Sequence, residues 1–182
     1  MILAELIENR IIVWNIKDSR SLYKEAYYGK PLGIPKPKDF YFNAPLILDL
    51  LESYYLLIKG KIKVLKDGKE LKEEEMLKIC EKEYVNFREK FLVYTKLKEK
   101  GFIVTAGIKF GSDFAVYHKD KGPGKEHAPY LVKVMKPSEK IDTLEIVLAG
   151  RLATTVRKQF TIAVADIKSN SVDFIGFDWW RA

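Results

Sequence analysis

Side chains that exchange protons near neutral pH are scarce in this chain: two histidines, His118 and His127, and one cysteine, Cys80. One cysteine excludes an internal disulfide framework and a Cys-rich zinc site, and it fits a protein of the reducing cytoplasm. Two histidines leave zinc with too few ligands. Gly124-Lys125 is followed by Glu126 and has no glycine five residues before it, so it is not a phosphate-cradling Walker loop, and no Gly-x-Gly-x-x-Gly occurs. No paired-acid motif for magnesium stands out, and Asp113 is the nearest candidate. No metal and no cofactor are therefore expected. What remains comes from three consecutive segments: Tyr117 at the end of a strand, His127 in the loop "KDKGPGKEHAPY", and Lys158 at the C-terminal end of a helix. A phenol, an imidazole and an ammonium are groups from which metal-free acid–base chemistry is built. Each also has an ordinary reading, as a half-buried packing tyrosine, a solvated loop histidine and a lysine complementing a helix dipole, and spacing alone leaves both open.

The elements that must position these groups follow from periodicity. In "SDFAVYH", alternation puts Asp113, Ala115 and Tyr117 on one face of a strand and Phe114, Val116 and His118 on the other, so His118 shares its side with core residues and is expected to be structural. Strands are also expected at "FIVTAG", "PYLVKVM", "FTIAVADI" and "DFIGFDWW". The last is an apolar C-terminal strand that suits either an internal core position or pairing across an interface. A helix is expected over 142–158, with Asp142 and Glu145 at capping-box spacing and Leu144, Leu148, Leu152 and Val156 facing the sheet.

Upstream, "LAELIENRIIVWN" reads as a β-hairpin turning at Glu8-Asn9, followed by a helix from Ser19 to about Tyr28. The stretch "GKPLGIPKPKDFYFNAP", with prolines at 31, 35, 37 and 45, is expected to be a loop carrying Lys30, Lys36 and Lys38. A helix over Pro45–Lys59, a hairpin turning at Asp67-Gly68, and one long or two abutting helices over 72–100 complete the half. The fold class is α+β or α/β. A small mixed N-terminal domain, 1–86, precedes a C-terminal α/β domain, 87–182, with a largely buried sheet.

At 182 residues, the chain suits one domain or two small ones. With 47% apolar and 13% aromatic residues it is not a disordered polymer. No apolar run approaches the ~20 residues of a membrane span, and no signal peptide is apparent; a soluble protein is expected. The net charge of +7 is uneven: residues 1–86 carry 15 basic and 14 acidic side chains, and residues 87–182 carry 17 and 11. A basic half points to a polyanion such as nucleic acid, although many lysine-rich proteins are basic without binding one.

The runs "GFIVTAGIKFGSDFAVY", "GKEHAPYLVKV" and "RLATTVRKQFTIAVAD", in this order and spacing, resemble the catalytic domain of archaeal tRNA-splicing endonucleases. The resemblance implies a C-terminal nuclease domain whose central mixed sheet is flanked by helices (restriction-endonuclease-like), and catalytic roles for Tyr117, His127 and Lys158. Tyr117 would be general base to the RNA 2′-hydroxyl, His127 general acid to the 5′-oxygen, and Lys158 stabiliser of the phosphorane. Products would be 2′,3′-cyclic phosphate and 5′-hydroxyl ends. It further implies a bulge-helix-bulge precursor tRNA as substrate. Arg151 would be one of two arginines clamping a bulged base. "YGKPLGIPKPK" resembles a lysine-bearing insertion of crenarchaeal members, implying RNA contacts for Lys36 and Lys38 and a heterotetramer with a structural subunit, this chain being the catalytic one. Departures are Ser112 in place of alanine, Thr154-Thr155 in place of His-Ser, and Asp173 near the expected second arginine, for which Arg181 or a partner residue would substitute. Two other functions compete: a non-catalytic RNA-binding or assembly subunit, and a metal-dependent nuclease using Asp113.

Overall fold

The computed structural model describes residues 1–35, 37–108, 111–119 and 121–178. The chain divides into two compact units, one covering Met1–Phe87 and one beginning at Arg88. Helices and a mixed sheet occur in each, an α+β architecture as the patterning predicts. Among the described residues no helix is long and apolar enough to cross a membrane.

In the first unit, β1 (Ile2–Ile7) and β2 (Arg10–Val13) form the expected hairpin, with Glu8 at φ 55° in the turn. Helix α1 (Ile16–Ala26) starts three residues before Ser19 because Asn15 caps it, its side chain accepting from the amides of Lys17 and Asp18. Ser19 is instead buried and donates to the Val13 carbonyl at 2.9 Å. The proline-rich stretch is not entirely loop: β3 (Lys30–Pro31) is an edge strand, where a proline without an N–H is tolerated.

The expected helix over 45–59 divides into β4 (Leu46–Leu48) and α2 (Leu50–Ile58). Leu46 and Leu48 are both fully buried on one face of a strand paired to β2 and β3, a period-two burial that a helix would break. Asp49 then opens α2 with a complete capping box to Glu52. Next come β5 (Ile62–Lys66) and β6 (Lys69–Glu70), turning at Asp67 and Gly68 with φ 51° and 76°. The sheet order is β3-β4-β2-β1-β5-β6, with β1 and β5 parallel. The segment 72–100 is two helices, α3 (Glu73–Glu83) and α4 (Phe87–Glu99), separated where Asn86 turns left-handed at φ 57°.

The second unit is built on the strands β7 (Ile103–Ala106), β8 (Phe114–Tyr117), β9 (Tyr130–Met135), β10 (Gln159–Asp166) and β11 (Ser171–Phe177), in the order β11-β10-β9-β8-β7. Among the described residues of this unit only β9 and β10 run parallel, joined by helix α5 (Thr143–Thr155). On the α5 face Ala115, Leu131, Phe160 and Ile162 pack with Ala153. On the opposite face Phe114 meets Tyr94 of α4 at 6.0 Å between ring centres.

Three readings of this unit are corrected. The leucines of α5 do not face the sheet: Leu144, Leu148 and Leu152 are 62%, 56% and 41% exposed. Ala149, Ala153 and Val156 face it instead, their small side chains letting the helix lie close to Leu131 and Phe160. The capping box is also only half made. Asp142 accepts from the Leu144 amide at 2.7 Å, but the Glu145 carboxylate is taken by Lys133 of β9. The C-terminal strand β11 is not an internal core strand but an edge strand, with Phe174 and Ile175 37% and 49% exposed.

Candidate active site

Strand register assembles the site. Val116 of β8 lies opposite Tyr130 of β9, and Tyr130 opposite Gln159 of β10. One step further along, Tyr117, Pro129 and Lys158 fall in a row across three neighbouring chain segments at one end of the sheet, and the Gln159 amide donates to the Pro129 carbonyl at 2.8 Å to hold that row. Tyr117 ends β8 half-buried on the α5 face, against the cluster that contains Ala128 and Ala153. His127 is exposed and immediately precedes Ala128, which is only 3% exposed and plugs the loop into the core. On its other side the loop is held by a turn at 122–126 and by the ion pair of Lys121 with Glu126 at 3.0 Å.

Lys158 is not part of α5. The helix ends at Thr155 in a Schellman turn: the Arg157 amide bonds the Thr154 carbonyl at 3.0 Å and the Lys158 amide bonds the Ala153 carbonyl at 2.7 Å. Arg157 takes the left-handed position, φ 55°, where glycine is the usual residue, so the sequence lacks the ordinary stop signal and the helix reads three residues too long. The turn redirects Lys158, whose Nζ donates to the Ala128 carbonyl at 2.5 Å. That bond ties the lysine to the backbone beside His127. Arg151 stays on the exposed face of α5, and the hydroxyls of Thr154 and Thr155 donate to the helix carbonyls of Gly150 and Arg151 at 2.9 Å each.

Burial pushes the Tyr117 phenol above its ordinary value, and a hydrogen bond with Thr105 only partly offsets it. No lysine is among the causes of that shift, and the Lys158 ammonium is turned onto the Ala128 carbonyl. Burial lowers the pKa of Lys158 itself.

His118 lies on the face opposite Tyr117, as alternation requires, yet it is exposed, because β8 ends one residue earlier; its ring contacts Phe102 and Tyr130. Asp113 has both oxygens engaged, one by Lys90 at 2.9 Å and the other by the Val134 amide at 2.7 Å. Those bonds pin the start of β8 to α4 and β9. Among the described residues no three His, Cys, Asp or Glu side chains gather where a cation would need them. Asp173 is exposed on β11 opposite Val164. Lys38 is exposed in the first unit, on the segment that Arg20 ties down through the Phe42 carbonyl at 2.7 Å, while Lys36 and Arg181 lie outside the described residues. The Ala128 carbonyl and the Thr105 hydroxyl are contacts that no sequence motif announces.

Residues 87–174 match the family described as tRNA intron endonuclease, catalytic C-terminal domain, and residues 2–77 match its N-terminal domain. A tRNA-splicing endonuclease of Hyperthermus butylicus is 44% identical over 180 residues, covering 98% of each chain. One from Sulfurisphaera tokodaii is 40% identical over 180 residues, covering 98% of this chain and 99% of its own. Another, from Saccharolobus islandicus, is 42% identical over 181 residues and 98% of each chain.

Proposed function

The chain belongs to the tRNA intron endonuclease family, and from that premise we propose that it is the catalytic subunit that cuts precursor tRNA at intron bulge-helix-bulge sites without a metal. The observation that carries this reading is the row of Tyr117, Pro129 and Lys158, closed by the bond from Lys158 Nζ to the carbonyl next to His127. The second unit is the chemical one. Tyr117 removes the proton of the 2′-hydroxyl, whose oxygen attacks the adjacent phosphorus. His127 protonates the departing 5′-oxygen as the P–O5′ bond breaks, leaving a 2′,3′-cyclic phosphate and a 5′-hydroxyl.

The groups are unevenly matched to these tasks. Histidine is the side chain most often used as a general acid. A phenol at its ordinary ~10 is ionised to only about 0.1% at pH 7, and the burial of Tyr117 makes that fraction smaller. Proton removal by Tyr117 is therefore the step most in need of help, and Lys158 acts on the other charge of the reaction, stabilising the phosphorane.

Arg151, exposed on α5, would stack on an extruded base. Lys36 and Lys38 would add phosphate contacts from the proline-rich segment. The exposed leucines of α5 and the open edge of β11 support assembly with a second, structural subunit in a heterotetramer. The test is cleavage of a bulge-helix-bulge RNA in excess chelator, with the chain alone and with a co-expressed partner. Cyclic-phosphate ends that disappear in His127→Ala are expected. Tight RNA binding without cleavage under every condition would instead mark a non-catalytic subunit, and activity abolished by chelator a metal-dependent nuclease.

A further inference from the structure

The sheet face opposite α5 holds a depression of about 260 Å3 that the proposed cleavage chemistry does not use. Buried Val116 and Val132 form its floor, while Phe102, Tyr130 and Phe174 contribute rings and Lys100 lines its rim. It falls below the ~300–1,000 Å3 of a site for a drug-sized molecule, so one flat group fits it better. Phe102, His118 and Tyr130 form a closed triangle of ring contacts, with centres 6.1 Å, 5.5 Å and 6.5 Å apart. Phe102 and Tyr130 are half-buried and His118 is exposed, so the triangle is open to solvent on one side.

Positive charge surrounds these rings. The Lys100 ammonium sits 5.9 Å from the centre of the Phe174 ring. Lys119 follows His118, and its stem would lie 3.8 Å from a Cβ built on Gly101. Neither lysine is in an ion pair among the described residues. The Asp178 carboxylate accepts from the Gln159 side-chain amide at 3.4 Å. An apolar protein segment covering the depression would bury both ammonium groups without a counter-charge, whereas an RNA strand brings a phosphate with every base it stacks.

We propose that this depression is a stacking site for an unpaired base of RNA flanking the scissile phosphate, with Lys100 and Lys119 on the adjoining phosphates; the assignment rests on the proposed cleavage of RNA. Its position fits that role. Strand alternation sends Tyr117 and His118, and likewise Lys158 and Gln159, to opposite faces of the same sheet end. A strand leaving the cleavage site around that end therefore meets the rings directly.

The experiment uses the full chain and a fluorescein-labelled oligouridine carrying 5-iodouridine. Photocrosslinks of the wild-type protein are expected at Phe102, His118 or Tyr130. The double variant Phe102→Leu/His118→Ala is expected to bind the probe roughly tenfold more weakly with its melting temperature retained, and Lys100→Gln to lower the log–log salt slope by about 1. Crosslinks only elsewhere, or unchanged affinity in a folded double variant, overturn the proposal. So does a concentration-dependent dimer of the wild type that Phe102→Leu dissolves while crosslinks avoid the depression. Cleavage of the bulged RNA is scored separately. No cleavage by any form with crosslinks still in the depression would defeat the proposed function and leave the stacking site standing, and full cleavage without such crosslinks would do the reverse.

Discussion

The two faces of the C-terminal sheet share one set of strands but are closed in different ways. On one face α5 lies close on Ala153 and covers Leu131 and Phe160, leaving Tyr117 half-buried at the sheet end. On the other, α4 covers Phe114 through Tyr94, while Phe102, His118 and Tyr130 stay open next to Lys100. Both histidines are exposed. What separates them is company: His127 stands beside a carbonyl held by a lysine, and His118 stands among rings. Exposure and residue type are the same for both, whereas the neighbours differ.

The sharpest way to break this contrast is to remove each histidine in turn. His127→Ala should reduce the single-turnover cleavage rate by roughly 10²–10⁴, the range for a general acid, and Lys158→Ala by about 10²–10³, as for loss of an oxyanion donor. His118→Ala should weaken RNA binding but leave the single-turnover rate at saturating RNA within about threefold, because its ring touches Phe102 and Tyr130. Equal losses in His118→Ala and His127→Ala would erase the distinction between the faces.

Packing under and over α5 should differ almost as much. Leu131→Ala should cost about 2–5 kcal/mol in denaturant unfolding, since Leu131 is 1% exposed in the α5 cluster. Leu148→Ala, at 56% exposure, should change the stability of the isolated chain by no more than about 0.5 kcal/mol. A large loss at Leu148 in the isolated chain would mean that the outward leucine face is covered in solution.

The pH profile tests Tyr117. Its phenol is held above the ordinary ~10, so the phenolate fraction, and with it a rate limited by proton removal, should rise about tenfold per pH unit on the alkaline side of neutrality. Tyr117→Phe should flatten that limb. Stability moves the other way. The folded state keeps the proton more tightly than the unfolded chain, so this contribution is full below the unfolded value of ~10 and is lost as pH rises through the folded value. A thermal-melt series above pH 9.5 would show Tyr117→Phe losing less than the wild type.

The smallest effect is expected at the turn that delivers Lys158. Arg157→Gly should raise stability by no more than about 1 kcal/mol, because glycine takes the left-handed position without strain, and should leave cleavage unchanged. A drop in rate would mean that the arginine side chain itself takes part.

Period-two and turn signals in the sequence located most strands, and Asp67-Gly68 marked its hairpin because both residues tolerate positive φ. Errors arose where one local pattern served two structures. Leu46 and Leu48 fit a helical stripe or an inward strand face, and pairing with β2 decided for the strand. Glu52 and Glu145 both stand three residues after an aspartate cap, yet only Glu52 closes its box, because Lys133 across the sheet competes for Glu145. The leucines of α5 had the right period and the wrong partner, since a sheet approached closely favours alanine.

By itself the sequence determined the α+β class, the basic C-terminal half, the shortage of metal ligands and the three segments that carry Tyr117, His127 and Lys158, because these depend on residue type and local periodicity. Only the tertiary structure decided that β8, β9 and β10 lie side by side, that Lys158 leaves its helix to reach the Ala128 carbonyl, that burial raises the Tyr117 phenol, and that His118 is an exposed ring of a basic depression. Those facts depend on contacts between residues tens of positions apart, for which no local pattern exists to be read.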